Sequence, residues 1–285
     1  MSRCMFRSQS AKSAATMGFF EGKVVIVTGS SSGIGRATAA LFSKAGAKVT
    51  ITGRKPAALA ETKALCLKSG AKEGDILELI GDVTDEIFLE KLVNETVKKF
   101  GTIDVLVNNA GAASFDSTGK QGIDQPVTAF DHMLNVNVRS VIRLSQLALP
   151  FLEKTKGAIV NVSSIGAHPI HTSEAYYAAA KACLDQMTVQ MAGDLIKKGV
   201  RVNGVNPGPV ETNFVVTAGL SKELQDQMFN AMSGANIPLG RMGKPDDIGK
   251  VILFLADRSQ SEVIIGQRIV ADCGVLMKNA VLSGL

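Results

Sequence analysis

The sequence predicts an α/β fold, a doubly wound parallel sheet of about seven strands with helices on both faces. Three observations predict it. From Lys23 onward, short β-branched runs alternate with longer helical patterns. The runs are continuously apolar, as strands require when helices cover both sheet faces. The chain of 285 residues, 46% hydrophobic and 20% charged, is long and apolar enough for one full core. Strand, helix and strand in repetition imply parallel pairing through right-handed crossovers.

In chain order, Val24–Val27 is the first strand; it runs into the glycine-rich Thr28–Gly35 and a helical window near Arg36–Lys44. Val49–Thr52 follows, ends in Gly53-Arg54-Lys55, and gives way to Ala57–Leu67. Ile76–Ile80 leads through Asp82-Val83 to the helix Glu86–Phe100. Val105–Val107 ends in Asn108-Asn109-Ala110-Gly111, and a helical window is expected near Val127–Leu149. Ile159–Val162 precedes Ser163-Ser164, with the helix Ala175–Lys197 beyond. Val200–Val205 runs into Asn206-Pro207-Gly208; Asp246–Leu255 and the strand Ile269–Val270 complete the pattern. Twenty-eight glycines, many beside these apolar runs, fit tight strand-to-helix turns. The segment Asn213–Ile237 breaks the rhythm. It is helix-like, rich in Met and Phe, and reads as a surface helix pair or as a lid over a crevice at the sheet's carboxyl edge.

No Pro/Ser-rich linker interrupts the alternation, so residues 19–285 read as one domain. Residues 1–18 read as an extension, disordered or a targeting peptide. Residues 1–17 hold Arg3, Arg7 and Lys12 and no acid, a composition open to a mitochondrial transit peptide. Three of the five net positive charges therefore lie in this tail, and the body is nearly balanced. With 5% aromatics and no Trp, nucleic-acid binding is not expected. Cys4, Cys66, Cys183 and Cys273 are widely spaced, which excludes a disulfide scaffold or zinc site and suits a reduced, cytoplasmic compartment. No apolar stretch reaches membrane-spanning length, and no metal is expected.

Thr28-Gly29-Ser30-Ser31-Ser32-Gly33-Ile34-Gly35 lies between a strand and a helix. Glycines there let backbone N–H groups approach a pyrophosphate resting on the helix N-terminus. The spacing is GxxxGxG, which differs from GxGxxG, and the Lys-Ser/Thr of a nucleotide-triphosphate loop is missing. This turn, Asn108-Asn109-Ala110-Gly111 after the fourth strand, and Tyr177-Ala-Ala-Ala-Lys181 on a helix occur in that order. Together with Asn206-Pro207-Gly208 they resemble the short-chain dehydrogenase/reductase family in its single-domain branch, over nearly everything from Lys23 to Gly274.

The resemblance implies a Rossmann-type dinucleotide fold and a catalytic group of Asn137, Ser164, Tyr177 and Lys181. Tyr177 and Lys181 are four apart, so they share a helix face. Ionising a free Tyr at pH 7 costs about 4 kcal/mol. A neighbouring ammonium lowers that cost and makes the phenol a workable general acid/base. Ser164 follows the fifth strand, where its hydroxyl would donate to a substrate carbonyl oxygen. Adjacent Ser163 fits the pattern alone equally well; the family spacing favours Ser164. Likewise Asn135 competes with Asn137, which fits the family pattern better and would support a proton relay through Lys181. Tyr176 points about 100° away around the helix. His168 and His171 read as solvent-facing loop residues, without metal spacing.

By the same resemblance, Gly29, Ser31, Ser32, Gly33, Ile34 and Gly35 would hold the pyrophosphate. Asp82 and Val83 would hold the adenine, and Asn109, Ala110 and Gly111 would line the cofactor. Pro207, Gly208, Val210 and Thr212 would secure the carboxamide, and Tyr177 and Lys181 the nicotinamide ribose. Position 53 lies at the distance where an NAD site carries a carboxylate, and it is Gly, followed by Arg54 and Lys55. A 2′-phosphate is thereby invited, so NADP(H) is favoured and NAD(H) stays open. Alternatively Arg54 and Lys55 merely begin a solvated helix. Ala271-Asp272-Cys273-Gly274 departs from the family, which commonly carries Gly at the cysteine; the local backbone and a possible thiol at a subunit contact are the features in question. The expected activity is hydride transfer between NADP(H) and a carbonyl or alcohol carbon of a small molecule, by a homo-oligomer, a tetramer or dimer. A non-catalytic dinucleotide-binding or interaction protein on the same fold is the alternative, and an epimerase or lyase with bound NAD a third.

Overall fold

The computed structural model describes residues 19–113, 120, 122–168, 174–212 and 237–277. Residues 1–18, His171 and all of the Asn213–Ile237 segment except Ile237 lie outside the described residues.

Seven parallel strands form one sheet in the order β3-β2-β1-β4-β5-β6-β7. They are β1 Val24–Val27, β2 Lys48–Gly53, β3 Ile76–Ile80, β4 Val105–Asn108, β5 Ala158–Val162, β6 Arg201–Pro207 and β7 Arg268–Ala271. The order reverses between β1 and β4, which opens a crevice at their carboxyl ends. The helices are α1 Gly33–Lys44, α2 Pro56–Lys68, α3 Glu86–Phe100, α4 Val127–Leu134, α5 Ser140–Thr155, α6 Ala175–Leu195 and α7 Pro245–Ala256.

The continuous apolar runs have the predicted cause. In β1, Val25 and Val27 join Phe42, Leu59 and Ile252 in a core cluster on one face. Ile26 joins Leu92, Leu144 and Leu152 in a cluster on the other. β1, β4, β5 and β6 are buried throughout, whereas the edge strands β3 and β7 are only partly so.

The expected helical window is present, with one irregularity that bears on the site. Val127–Leu149 is helical throughout, but its geometry changes: α4 ends at Leu134, Asn135–Arg139 forms a π turn, and α5 continues from Ser140. Apolar periodicity cannot reveal the change, because a single π turn shifts the helix face without removing hydrophobic residues. Strand ends shift by up to two residues, β6 running on through Asn206 to Pro207.

Candidate active site

The turn after β1 is shaped by close packing against the segment after β4. Gly29 has φ +63°, and a Cβ there would stand 2.8 Å from the Ala110 Cα. Gly33 has φ +51°, and its Cβ would meet the Thr212 methyl at 3.0 Å. Side chains at either position would therefore strain the backbone and collide. The hydroxyl of Thr28, which sequence reading passed over, accepts the main-chain N–H groups of Asn109 and Ala110, each at 3.0 Å. The Asn109 amide donates to the carbonyls of Thr28 (2.8 Å) and Gly29 (3.2 Å). Arg36 donates to the Ser31 carbonyl at 2.6 Å and to the Ala58 carbonyl and Thr62 hydroxyl, anchoring the turn to α2. Ser32 is the N-cap of α1 in extended geometry, and its side chain makes no capping bond. No acidic residue occupies the first turn. The N–H groups of Gly33, Ile34 and Gly35 thus open a twelve-residue helix that suits an anion.

At the end of β2, a Cβ on Gly53 would stand 2.8 Å from both Cβ and Oγ of Ser31. A side chain at that position would require Ser31 to shift. Arg54 is largely exposed, at 73%, with Nη1 3.7 Å from Asp82 Oδ2. Lys55 is the N-cap of α2. Asp82 Oδ1 accepts from the Thr84 N–H (2.9 Å) and hydroxyl (2.8 Å). Partial burial pulls its carboxyl upward, but the Thr84 hydrogen bonds and the charges of Arg54 and His132 outweigh it, holding the group below the usual value. Val83 packs partly buried against the core beneath.

The second cluster gathers at the ends of β4, β5 and β6. Ser164 leaves β5 in extended geometry; its Oγ accepts from the Gly166 N–H at 3.0 Å and shares a hydrogen bond with the Tyr177 phenol. Ser163, the competing candidate, is 5% exposed and donates instead to the Lys181 carbonyl at 3.3 Å, which ties β5 to α6. Lys181 is 3% exposed. Its Nζ donates to the Val162 carbonyl at 3.0 Å and lies 5.7 Å from the centre of the Tyr177 ring. Burial pulls the Lys181 amine down to about 8, opposed by the negative charge of Asp185. Burial likewise pushes the Tyr177 phenol well above its ordinary value; the Ser164 hydrogen bond pulls the other way, and Glu174 adds to the rise.

Asn137 is fully buried within the π turn. Its Nδ2 donates to the Ala112 and Met133 carbonyls, both at 3.0 Å, and its Oδ1 accepts from the Ala112 N–H at 3.3 Å. A Cβ on Gly111 would stand 2.9 Å from that Oδ1 and 3.3 Å from Lys181 Nζ, so a small residue there brings the two side chains within reach of one point. The extra residue of the π turn aims Asn137 inward, a use to which such turns are often put. Tyr176 donates to the Gln125 carbonyl at 3.0 Å, away from Tyr177.

Pro207 ends β6, and Gly208 donates to the Ala271 carbonyl of β7 at 3.1 Å. Val210 bridges to Gly243. Thr212 lies against Gly33, so the segment after β6 reaches the glycine turn. Besides Thr28 and Arg36, sequence reading missed Asp185; Asn206, read there only as part of Asn206-Pro207-Gly208, joins it at 2.7 Å and so links β6 to α6. The available signals were a polar residue directly after an apolar strand for Thr28 and the spacing of four from Lys181 for Asp185. Among the described residues, no helix is long and apolar enough to cross a membrane.

A family model described as enoyl-(acyl carrier protein) reductase matches residues 29–276. A solved structure from Caenorhabditis elegans, a short-chain dehydrogenase/reductase of unknown function with cofactor, is 48% identical. It superposes with a TM-score of 0.88 over 91% of this chain and 97% of its own. Glucose dehydrogenase of the same nematode is 43% identical, with a TM-score of 0.76 over 90% and 99% of the two chains. The meso-2,3-butanediol dehydrogenase of Serratia marcescens is 37% identical over 255 residues, 90% of this chain and 95% of that one. With the sheet order, the glycine turn and the Ser164–Tyr177–Lys181 cluster already in place, these likenesses identify the chain as a member of the short-chain dehydrogenase/reductase family, NAD(P)(H)-binding oxidoreductases of small-molecule alcohol and carbonyl groups.

Proposed function

We propose that this chain is an NADP(H)-preferring oxidoreductase in which Tyr177 carries the proton, Ser164 orients the reacting oxygen, and Lys181 and Asn137 support the phenol. One observation carries the reading. The phenol of Tyr177 hydrogen-bonds Ser164, and the buried ammonium of Lys181 lies one helical turn away, 5.7 Å from the ring centre.

The bound dinucleotide supplies the hydride donor or acceptor. The open N–H groups of α1 suit its pyrophosphate, Asp82 its adenine amino group, and the segment from Pro207 to Thr212 its carboxamide. Ser164 donates to the substrate oxygen as negative charge grows there. Tyr177 gives its proton to that oxygen in reduction and takes it back in oxidation. A neutral, desolvated phenol is a poor acid, so the positive charge of Lys181 stabilises the phenolate it leaves. Asn137 holds the Ala112 main chain beside Lys181, where a relay of protons from solvent would end.

The preference for NADP(H) rests on Gly53 and Arg54. Gly53 supplies no carboxylate to select a free ribose, Ser31 packs close against it, and the exposed guanidinium suits a 2′-phosphate. Residues 19–285 would act as one unit, assembled as a tetramer or dimer in a reducing, cytoplasmic setting, with residues 1–18 an extension. The test is turnover of NADPH and NADH against a mixed panel of ketones, diketones, quinones and 3-oxoacyl thioesters. The reading expects at least one reduced carbonyl, NADPH used at least tenfold better than NADH, and loss of turnover in Tyr177→Phe. Tight cofactor binding without turnover on the whole panel would contradict it.

A further inference from the structure

Tyr177, Lys181 and Asp185 follow one another at intervals of four residues along α6, so three ionisable side chains share one helix face. The first two take part in the proposed proton transfer; Asp185 lies one turn further from it. It is 5% exposed, and Asn206, itself fully buried, donates Nδ2 to its Oδ2 at 2.7 Å. The same Nδ2 donates to the Ser164 carbonyl at 3.1 Å. Asn206 thus ties two things together: the main chain of the serine that touches Tyr177, and the helix that carries Tyr177. The Oδ1 atoms of Asp185 and Asn206 are buried with no hydrogen-bond partner among the described residues. A buried carboxylate with one hydrogen bond is costly unless a positive charge compensates it.

We propose that Asp185, held by Asn206, is a positioning residue: it fixes the Ser164 main chain relative to α6 and gives the buried Lys181 its counter-charge. The inference rests on the proposed roles of Tyr177 and Lys181. Lys181 meets the Tyr177 ring on its own helix, the Val162 carbonyl from β5, and the neutral Asn137 and Gly111 side of the crevice. Asp185 is the charge whose field works against the burial of the amine. Without it, burial alone would act, and the amine would lose its proton at a lower pH. Asn206 explains why the carboxylate stays in place: its amide supplies a neutral donor that does not compete with Lys181 for charge.

The test uses the full chain, without substrate or cofactor. Lysines labelled with 13C at Cε are followed by NMR against pH, and the Lys181 resonance is assigned as the one missing from Lys181→Met. The expectation is a Lys181 midpoint lowered by about one pH unit in Asp185→Asn. Asp185→Ser serves if the amide variant does not fold, and Asp185→Glu should restore most of the shift. An unchanged midpoint in the neutral variants, with or without a lower Tm, would assign Asp185 a purely structural role and overturn the proposal. Because this titration needs no turnover, it stays readable if Tyr177→Phe proves active, an outcome that would instead remove the proton-transfer role of Tyr177.

Discussion

At the ends of β1 and β2 the site is made of main chain: glycines in close contact with Ala110, Ser31 and Thr212, and N–H groups at the start of α1. At the ends of β5 and β6 it is made of side chains, with Ser164, Tyr177 and Lys181 converging behind a buried Asn206–Asp185 pair. The first region works by shape, and its polar side chains, Thr28 and Asn109, serve mainly to hold the backbone. The second works by desolvation, since burial moves both the phenol and the amine away from their ordinary values. Damage to the two should therefore look different. A lesion in the cradle should appear as lost stability and dinucleotide affinity, and a lesion in the cluster as lost turnover in a folded protein.

The largest expected effect lies in the cluster. Tyr177→Phe should lower kcat by about 10³-fold or more while leaving the dinucleotide Kd within a few-fold, as steady-state rates and fluorescence titration would read. A rise in Kd matching the fall in rate would erase the distinction between the regions. The pH dependence should come next. Reduction should fall by up to about tenfold per pH unit above about 8, as the Lys181 ammonium loses its proton. Stability should move the opposite way. The folded value lies below the ordinary 10.5, so between about 8 and 10.5 the unfolded chain holds the extra proton. This group alone therefore makes stability rise with pH across that window and contributes a constant penalty below it. Denaturation at several pH values in wild type and Lys181→Met isolates the contribution.

In the cradle, Thr28→Val would strand the Asn109 and Ala110 N–H groups. A loss of about 2 kcal/mol, near 5 °C in Tm, is expected, with weaker dinucleotide binding and a kcat at saturation close to wild type. The smallest effect lies outside both regions. Cys273 sits in the left-handed region at φ +58°. Cys273→Gly should raise stability by up to about 1 kcal/mol, readable in urea denaturation, without touching turnover. Its strain gives physical content to the departure seen in Ala271-Asp272-Cys273-Gly274, where Gly would be at ease.

The cradle was the more legible of the two regions in the sequence. Gly29, Gly33 and Gly35 announce a turn by their spacing, and the apolar strands around it can only be buried ones. Tyr177 and Lys181 were legible through the family resemblance, and their spacing of four added that they share a helix face. What local pattern could not supply was whatever depends on a neighbour distant in the chain. Ser163 and Ser164 are equivalent until α6 is placed, when one bonds the Lys181 carbonyl and the other the Tyr177 phenol. The π turn that aims Asn137 leaves the apolar rhythm of Val127–Leu149 intact. The crowding of Gly53 by Ser31 joins residues 22 apart, and Asp185 takes its meaning from Asn206, 21 residues on.

The central claim is that Tyr177 is a phenol kept neutral by burial and made acidic when positive charge gathers around it. The chain has two tyrosines and no tryptophan, so Tyr176→Phe leaves Tyr177 as the only group absorbing as tyrosinate near 295 nm. Titrated by absorbance, the free protein should ionise Tyr177 above the ordinary value near 10, and saturating oxidised dinucleotide should move the midpoint down by two pH units or about that. A midpoint that stays put when the dinucleotide binds would contradict the account.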